Sequence, residues 1–372
     1  MQNDDITWED ITRHIIQNLP LIPPKQAYQL LQEQGYYGQE IARKSLCLAA
    51  YRHIKRLKNI YVHNIPRNKL PSKNNILLLG PTGCGKTFLV EQLFRQILRL
   101  PTIIVDMTTY TETGYIGDNV RSIFTRLLQQ TDSNPNLASI GIICLDEFDK
   151  ISSASSNARF GGAGTTKDVS GYGVQRELLK LLEEAMIEVD TSPDNPMYSE
   201  KIPFFTGDLM FIACGAFSYI KTALWSQTPK IGYKNPYNQT DRPDEIAYTI
   251  QQEELNNINT FQTYGFIPEL IGRFHRIIPL QPLDKDTLKE ILVNNILKQF
   301  QHEFILEDIK LHVEENVLDY IVDKSLEQQT GARSLANTLT YHIENIAFEH
   351  FHTEPGKATL TLKDNKIHTT FQ

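Results

Sequence analysis

The feature that most constrains this chain is a glycine-rich octapeptide placed between a strand pattern and a helix pattern. Residues 80–87 read GPTGCGKT and directly follow the apolar run Ile76–Leu79. From Lys86 to Leu98 the apolar residues recur at helical spacing. A buried strand, a glycine-rich loop and a helix in this order are typical of a phosphate-binding loop. A glycine-rich turn that matches by chance is the alternative, but the flanking strand and helix make it the weaker interpretation.

Each position of this loop has an expected task. Glycine permits the turns that point backbone N–H groups at a phosphate, and the helix N-terminus adds the positive end of its dipole. Lys86 is expected to reach the β- and γ-phosphates of ATP, and the Thr87 hydroxyl to ligate Mg²⁺. The predicted nucleotide-binding residues of this segment are Gly80, Pro81, Thr82, Gly83, Cys84, Gly85, Lys86, Thr87 and Phe88.

A second apolar run, Ile140–Leu145, is typical of a central parallel strand that is buried on both faces. It ends in Asp146 and Glu147. An aspartate at this position can hold Mg²⁺, and an adjacent glutamate can polarise the attacking water. An acidic loop after any strand is the bland alternative, and it is weaker downstream of a phosphate loop. The sequence therefore predicts a nucleotide hydrolase with Lys86 and Glu147 as catalytic residues.

The composition of the chain limits which partners and which cellular compartment we expect for it. The 372 residues carry a formal net charge of -7, which argues weakly against non-specific binding to nucleic acid. The basic residues Arg52, Lys55, Arg56 and Lys58 are at helical spacing, and we expect them to form a solvated face. The four cysteines are scattered without a paired motif, which suits a reducing compartment. The acidic N-terminus and the lack of a long apolar stretch predict a cytoplasmic protein with no membrane partner.

Strand and helix patterns alternate through most of the chain, which predicts an α/β fold with a central parallel sheet covered by helices. One of these helices is predicted over Val174–Met186. After Pro282 helical periods dominate, so we expect residues 1–23 to be an extension and linker, 24–281 a large ATPase domain and 282–372 a small, mainly helical domain. The apolar stripe Ile11, Ile15 and Ile16 predicts either a docking helix or one that packs on the body.

Several ordered motifs carry a family resemblance. Tyr36–Gln39, Gly114–Gly117, Ile267–Arg273 and Gly331–Arg333 stand in the order in which the AAA+ module of ClpX-type unfoldases has its adenine loop, pore loop, arginine finger and sensor 2. From Pro24 to the C-terminus the chain resembles this family, which belongs to the Clp/HSP100 proteins. The resemblance implies a homo-hexameric ring that hydrolyses ATP and threads protein substrates through its pore.

The resemblance also implies roles for single residues. Tyr36 and Tyr37 would close over adenine, and Arg273 would supply positive charge to the ATP of a neighbouring subunit. Arg333 would contact phosphate, although an ordinary surface charge at the start of a helix explains it equally well. Tyr115 and Ile116 would grip substrate in the pore, the alternative being a tyrosine packed in a surface turn.

The chain also departs from the family pattern. No paired cysteines of the family's zinc-binding domain precede Pro24, so we expect a member without that domain. The basic loop at the pore entrance is replaced by the acidic, proline-broken segment 190–196, and Cys214 stands in the sensor-1 region. The tripeptide Ile231, Gly232 and Tyr233 has tyrosine where the family's peptidase-docking loop has phenylalanine, and a loop without a partner is the alternative.

Three functions therefore compete. The leading hypothesis is an ATP-driven protein unfoldase that feeds a ClpP-type peptidase. A remodeller that acts on protein complexes without a peptidase would use the same fold. A nucleic-acid motor is disfavoured by the acidic charge and the aromatic pore loop, and a GTPase by the missing guanine-recognition motif.

Overall fold

The computed structural model describes residues 7–110, 119–152, 171–191, 200–218, 220, 258–328, 331–352 and 355–372. These residues form two compact units. One contains the described residues within 1–30, 40–81 and 86–280, and the other those within 31–39, 82–85 and 281–372. Within the described ranges, every helix falls short of the length and apolarity that a bilayer crossing requires.

A parallel five-stranded sheet forms the centre of the first unit. Its strands are β1 (Ile76–Leu79), β2 (Thr102–Asp106), β3 (Ile142–Asp146), β6 (Met210–Gly215) and β7 (Arg276–Pro279). They lie side by side in the order β2-β3-β6-β1-β7. Every residue of β1 and β6 is buried, which explains why these strands appear in the sequence as continuous apolar runs. The predicted α/β class with a central parallel sheet is confirmed.

The strand register brings the functional loops to one edge of this sheet. Leu79 at the end of β1 lies opposite Gly215 of β6 and Pro279 of β7. Asp106 at the end of β2 lies opposite Asp146 at the end of β3. Because all five strands are parallel, the phosphate loop after β1 and the acidic pair after β3 leave the sheet at the same edge.

Helices cover this sheet and connect its strands. They are α1 (Trp8–Asn18), α2 (Pro24–Glu33), α3 (Glu40–Tyr61), α4 (Lys86–Val90), α5 (Ser122–Gln129), α6 (Pro135–Ala138), α7 (Tyr172–Leu182), α8 (Ile258–Tyr264) and α9 (Pro268–Ile271). The last turn of α2 belongs to the second unit. After α4 the helix continues with π-helical hydrogen bonds over Glu91–Ile97, which the apolar period did not predict.

The prediction of a helix over Val174–Met186 is wrong at its C-terminal end. Helix α7 stops at Leu182, and Glu183 has extended backbone angles. The chain then forms β4 (Met186–Asp190), which pairs antiparallel with β5 (Lys201–Phe205). The Thr206 hydroxyl donates to the Glu183 carbonyl at 2.6 Å and accepts from the Ala185 N–H at 3.0 Å. This contact is distant in sequence, so local periodicity did not reveal it.

The N-terminal helix packs on its own unit, which is one of the two alternatives the sequence left open. Thr7 and Asp10 form a capping box at the start of α1. Ile16 is buried, the Arg13 Nε donates to the Tyr61 carbonyl at 3.2 Å, and the Lys58 Nζ donates to the Gln17 carbonyl at 3.0 Å. These contacts fasten α1 to α3.

Arg56 corrects the expectation of a solvated basic face on α3. Its side chain is only 8% exposed, and its Nη1 bonds the Asp208 carboxylate at 2.7 Å. Arg67 and Tyr61 also bond Asp208, at 2.6 Å and 3.0 Å. The basic residues of α3 therefore have different roles, because Arg56 lies in a buried ionic cluster.

The second unit combines helices with a small sheet. Helix α10 (Lys285–Ile291) continues through the π-helical stretch Leu292–Leu297 into α11 (Lys298–Leu306), and α12 (Glu315–Gln328) and α13 (Ala332–His350) follow. Its strands are β8 (Ile309–Val313), β9 (Gly356–Lys363) and β10 (Lys366–Phe371). Strands β9 and β10 form an antiparallel hairpin, and β8, which lies parallel to β9, was not predicted.

Candidate nucleotide site

The phosphate loop leaves β1 and enters α4 as the sequence predicts. Gly83 and Gly85 have φ angles of 78° and 92°, a backbone region that residues with a Cβ rarely adopt. The buried Lys86 donates from Nζ to the carbonyls of Gly80 at 2.6 Å and Pro81 at 2.9 Å. These two bonds hold the ammonium at the start of the loop, where it offers positive charge to an anion.

Thr87 and Asp146 meet across the carboxyl edge of the sheet. The Thr87 hydroxyl donates to Asp146 Oδ2 at 2.8 Å, although the two residues are 59 positions apart. The other carboxylate oxygen, Oδ1, accepts the N–H of Glu147 at 2.9 Å. A hydroxyl and a carboxylate in contact beside a phosphate loop supply the oxygen ligands that a hard cation requires.

Glu147 follows in an unusual backbone conformation. Its φ of 52° and ψ of 35° are left-handed, and it caps the short 3-10 helix Phe148–Ile151. Burial, followed by the negative charges of Asp149 and Asp146, raises the pKa of Glu147 above its ordinary value. A carboxylate with raised proton affinity is better suited to accept a proton from water.

Asp149 is a residue of this region that sequence reasoning missed. It is buried, and its Oδ1 accepts the N–H of Ala216 at 3.0 Å, just beyond β6. It therefore ties the turn after β3 to the end of β6. Cys214, in the sensor-1 region, is also buried, and its Sγ lies 3.7 Å from that of Cys144 on the neighbouring strand. The Cys214 thiol thus packs against the Cys144 thiol of the neighbouring strand.

In the second unit Tyr36 lies against the phosphate loop. Tyr36 is buried, and a Cβ placed on Gly85 would come within 3.2 Å of its ring and hydroxyl. Tyr37 is partly buried; burial, and then the negative charge of Glu290, raises its pKa. The Gln39 side chain donates to the Gln281 carbonyl at 2.6 Å and accepts the N–H of the same residue at 3.0 Å. The segment 36–39 is thus fastened within this unit.

The start of α13 also touches the loop. Gly331 has a φ of 60°, and a Cβ on it would lie 2.7 Å from the carbonyl oxygen of Gly83. The Ala332 N–H donates to that same oxygen at 3.3 Å. Arg333 is exposed on the first turn of α13, directly after this contact. A side chain at Gly331 would force the helix and the loop apart.

Arg273 has a different environment. It lies between α9 and β7, and its guanidinium bonds Glu183 on the surface of the first unit at 2.5 Å. The predicted pore residues Tyr115 and Ile116 lie outside the described residues, as do the predicted docking residues Ile231, Gly232 and Tyr233.

The fold and the site together define a class. A parallel sheet, a lysine-bearing glycine loop after β1 and a hydroxyl–carboxylate contact at the end of β3 are the parts of a phosphate-loop ATPase. A triphosphate fits these residues, because the Lys86 ammonium lies against the Gly80 carbonyl directly after β1 and the next residue, Thr87, contacts Asp146. The chain is therefore a phosphate-loop ATPase of the α/β class.

Comparisons with known proteins narrow the class. Residues 72–277 match the family model described as AAA domain (Cdc48 subfamily), and residues 283–357 match the C-terminal, D2-small domain of ClpB protein. The chain is 36% identical over 339 residues to the ATP-dependent Clp protease ATP-binding subunit ClpX of Porphyromonas gingivalis, covering 89% of this chain and 78% of that protein.

Two further relatives carry the same name. The protein of Bacteroides thetaiotaomicron is 36% identical over 344 residues, with 89% of this chain and 78% of the relative covered. The protein of Azotobacter vinelandii is 36% identical over 327 residues, covering 85% and 72%. The chain belongs to the ClpX-type family of AAA+ ATPases, which confirms the resemblance found in its motifs. Its activity is ATP hydrolysis coupled to protein remodelling.

Proposed function

We propose that this chain is an ATP-dependent protein unfoldase that works as a homo-hexamer and passes protein substrates to a ClpP-type peptidase. The observation that carries the proposal is the contact between Thr87 and Asp146 beside the loop that holds Lys86. The names of the relatives support the partnership with a Clp protease. The four cysteines, free and buried, support a reducing, cytoplasmic location.

The nucleotide chemistry follows from the residues at the carboxyl edge of the sheet. Lys86 exchanges its two loop carbonyls for phosphate oxygens of ATP, and the loop N–H groups bind the same phosphates. Thr87 and Asp146 are the proposed ligands of Mg²⁺, a cation that commonly keeps several waters and takes few protein ligands. Bound Mg²⁺ supplies charge neutralisation at the phosphates. Glu147 orients the attacking water and accepts its proton.

Three residues of the second unit are proposed to contact the bound nucleotide. Tyr36 and Tyr37 are proposed to close over adenine, and Arg333 to contact phosphate from the first turn of α13. The proposed domains are the extension 1–23, the ATPase domain 24–281 and the small domain 282–372. Family-model matches over 72–277 and 283–357 support this division.

Arg273 is proposed to act across a subunit boundary. Its side chain is 47% exposed on the surface of the first unit, which supports delivery of its charge to a neighbouring protomer. Tyr115 and Ile116 are proposed to grip the substrate chain. Ile231, Gly232 and Tyr233 are proposed to dock the peptidase, with the Tyr233 hydroxyl kept in water or hydrogen-bonded, since burying it without a partner costs free energy.

The substitution Glu147→Gln tests the hydrolytic step. It removes the proton acceptor but keeps the shape, so turnover should fall about 100-fold or more while ATP still binds. Phosphate release and equilibrium nucleotide binding measure the two effects. Glu188→Gln changes an exposed glutamate of β4 and serves as the control. Near-normal turnover of Glu147→Gln would remove this residue from the mechanism.

Mixing two inactive variants tests whether Arg273 completes a nucleotide site on the neighbouring protomer, which we call the shared site. A Glu147→Gln protomer still offers Arg273, and an Arg273→Ala protomer still offers Glu147. If the arginine is supplied by a neighbour, a mixture of the two should regain part of the ATPase rate that each alone lacks. A mixture that stays inactive would contradict supply between protomers.

A remodeller that acts without a peptidase is the second candidate, favoured by tyrosine at position 233 of the docking tripeptide. Incubation of a folded reporter protein with this chain and ATP, with and without a ClpP-type peptidase, separates the two functions when both the unfolding and the degradation of the reporter are followed. Unfolding without degradation in the presence of the peptidase would favour the remodeller. Tyr115→Ala should keep ATPase activity and lose unfolding in either case.

A further inference from the structure

Arg273 is bound to an acidic partner whose position is itself fixed. Its Nη2 lies 2.5 Å from Glu183 Oε1, and the two side chains are 47% and 44% exposed. Glu183 is the first residue after α7, in an extended conformation. A guanidinium carries five N–H donors, and this bond engages one of them. The carboxylate can therefore hold the guanidinium while other N–H donors of the group stay able to bond a second acceptor.

The backbone on the arginine side is anchored by Asn75. This buried side chain donates from Nδ2 to the Arg273 carbonyl at 3.2 Å. Its Oδ1 accepts the N–H of Phe211 in β6 at 3.2 Å, and its own carbonyl accepts the N–H of His275 at 2.9 Å. Arg273 thus starts from a backbone position that is tied to two strands of the sheet.

The backbone on the glutamate side is anchored by Thr206 and Lys73. The Glu183 carbonyl accepts the Thr206 hydroxyl at 2.6 Å and the Lys73 Nζ at 3.5 Å. The buried Lys73 also donates to the Thr206 carbonyl at 3.0 Å. The Ala185 carbonyl accepts the Thr206 N–H at 3.0 Å. The carboxylate of Glu183 therefore projects from a fixed segment.

Both anchors begin in the same three residues, 73–75, which lead directly into β1 and the phosphate loop. Lys73 holds the segment of Glu183, and Asn75 holds the segment of Arg273. We propose that Glu183 is a positioning residue that orients the Arg273 guanidinium for the neighbouring protomer's ATP. This inference rests on the role of Arg273 proposed above, and it adds a residue to which no role was assigned.

The physical reason is loss of side-chain freedom before catalysis. A free arginine side chain samples many rotamers, and ordering it at the moment of catalysis costs free energy. A carboxylate on a fixed backbone removes part of that freedom in advance. Because the pair is half-exposed, its effect on catalysis should be modest. Glu183→Ala should lower kcat about three- to fivefold, which is the fold-change expected from losing a half-exposed ion pair. KM should change less than about twofold, since the substitution leaves Lys86 and Thr87, the groups proposed to bind the phosphates and Mg²⁺, unchanged.

Two matched variants separate positioning from charge and from folding. Glu183→Gln keeps a carbonyl oxygen that can accept the guanidinium N–H, so it should recover most of the lost kcat. Glu184→Ala removes the adjacent glutamate, which lies 3.9 Å from Arg56, and should leave kcat near the wild-type value. An unchanged or higher kcat in Glu183→Ala, or an equal loss in Glu184→Ala, would overturn the proposal.

Mixed assemblies give the decisive test. In a mixture of Glu147→Gln and Arg273→Ala protomers, active sites use Arg273 from the first variant and Glu147 from the second. Adding Glu183→Ala to the Glu147→Gln protomer should lower the restored rate, because that protomer supplies the arginine. Adding it to the Arg273→Ala protomer should leave the rate unchanged, and equal losses in both placements would refute positioning. A parent mixture without restored activity would instead contradict the shared site, and the single-variant kcat values would still decide the role of Glu183.

Discussion

Two ionic contacts of the first unit use the same chemistry in opposite surroundings. Asp208 is 0% exposed and is bonded by Arg56, Arg67 and Tyr61. Burial acts to raise the pKa of Asp208, but hydrogen bonds and positive charge from Arg67 and Arg56 outweigh it, so the pKa lies below its ordinary value. Glu183 and Arg273, by contrast, form one bond at a surface where each side chain is about half exposed.

The difference in burial suits the two contacts to different tasks, stabilising the fold in one case and interacting with another molecule in the other. A buried ion has no water to replace a lost partner, so the buried members of the cluster, Asp208 and Arg56, are held in place by each other. A half-exposed ion pair can exchange its partner for water or phosphate at little cost. The Asp208 cluster therefore stabilises the fold, whereas the Glu183–Arg273 pair is able to serve a site on another molecule.

Removing the buried carboxylate should give the largest change in stability. Asp208→Asn removes the buried carboxylate that Arg56 bonds at 2.7 Å and leaves this cation with the half-exposed Glu184 at 3.9 Å, so the free energy of unfolding should fall by about 3–5 kcal/mol. Urea titration followed by circular dichroism measures the loss. Asp190→Asn, at an exposed position of β4, is the matched control and should change stability little. A loss below about 1 kcal/mol in Asp208→Asn would remove the contrast between the two regions.

Acid should weaken the same buried region through His53. Its ring bonds the Ile140 carbonyl at 3.2 Å, and burial lowers its pKa from 6.5 to about 4. Since the unfolded chain takes up a proton first, this contribution is present above pH 6.5 and is lost as the pH falls toward 4. The expected loss is roughly 2 kcal/mol between pH 7.5 and pH 5. Unfolding titrations at both pH values should show a smaller loss in His53→Gln, and equal losses would contradict the assignment.

The exposed pair should give the smallest change in stability. Arg273→Ala is expected to change the free energy of unfolding by less than about 1 kcal/mol, because only a half-exposed bond is lost. The same variant should nevertheless lose nearly all ATPase turnover in the assembled protein. Measuring both quantities on one preparation tests the separation of roles. A large loss of stability would show that Arg273 acts mainly in folding.

The parts of the fold that the sequence predicts are those encoded locally. The strand Ile76–Leu79 and its glycine loop were predictable because the strand is buried on both faces and the loop needs particular residues. The β4–β5 pair, the strand Ile309–Val313 and the burial of Arg56 were not, since each depends on partners that are distant in the chain. In the candidate site, the position of Asp146 and Glu147 at the end of a strand was predictable from the apolar run that precedes them. Nothing in the local pattern distinguished Asp149.

The contact between Gly331 and Gly83 has a mechanical consequence. With no side chain between them, the first turn of α13 sits almost directly on the backbone of the phosphate loop. Helix α13 has 19 residues, so at 1.5 Å per residue it is about 28 Å long. A tilt of about 5° at this fulcrum would displace the far end by roughly 2.5 Å on that length. A change in the position of the loop that is too small to break its hydrogen bonds would therefore move the C-terminal end of α13, near Phe348, by more than the radius of an atom.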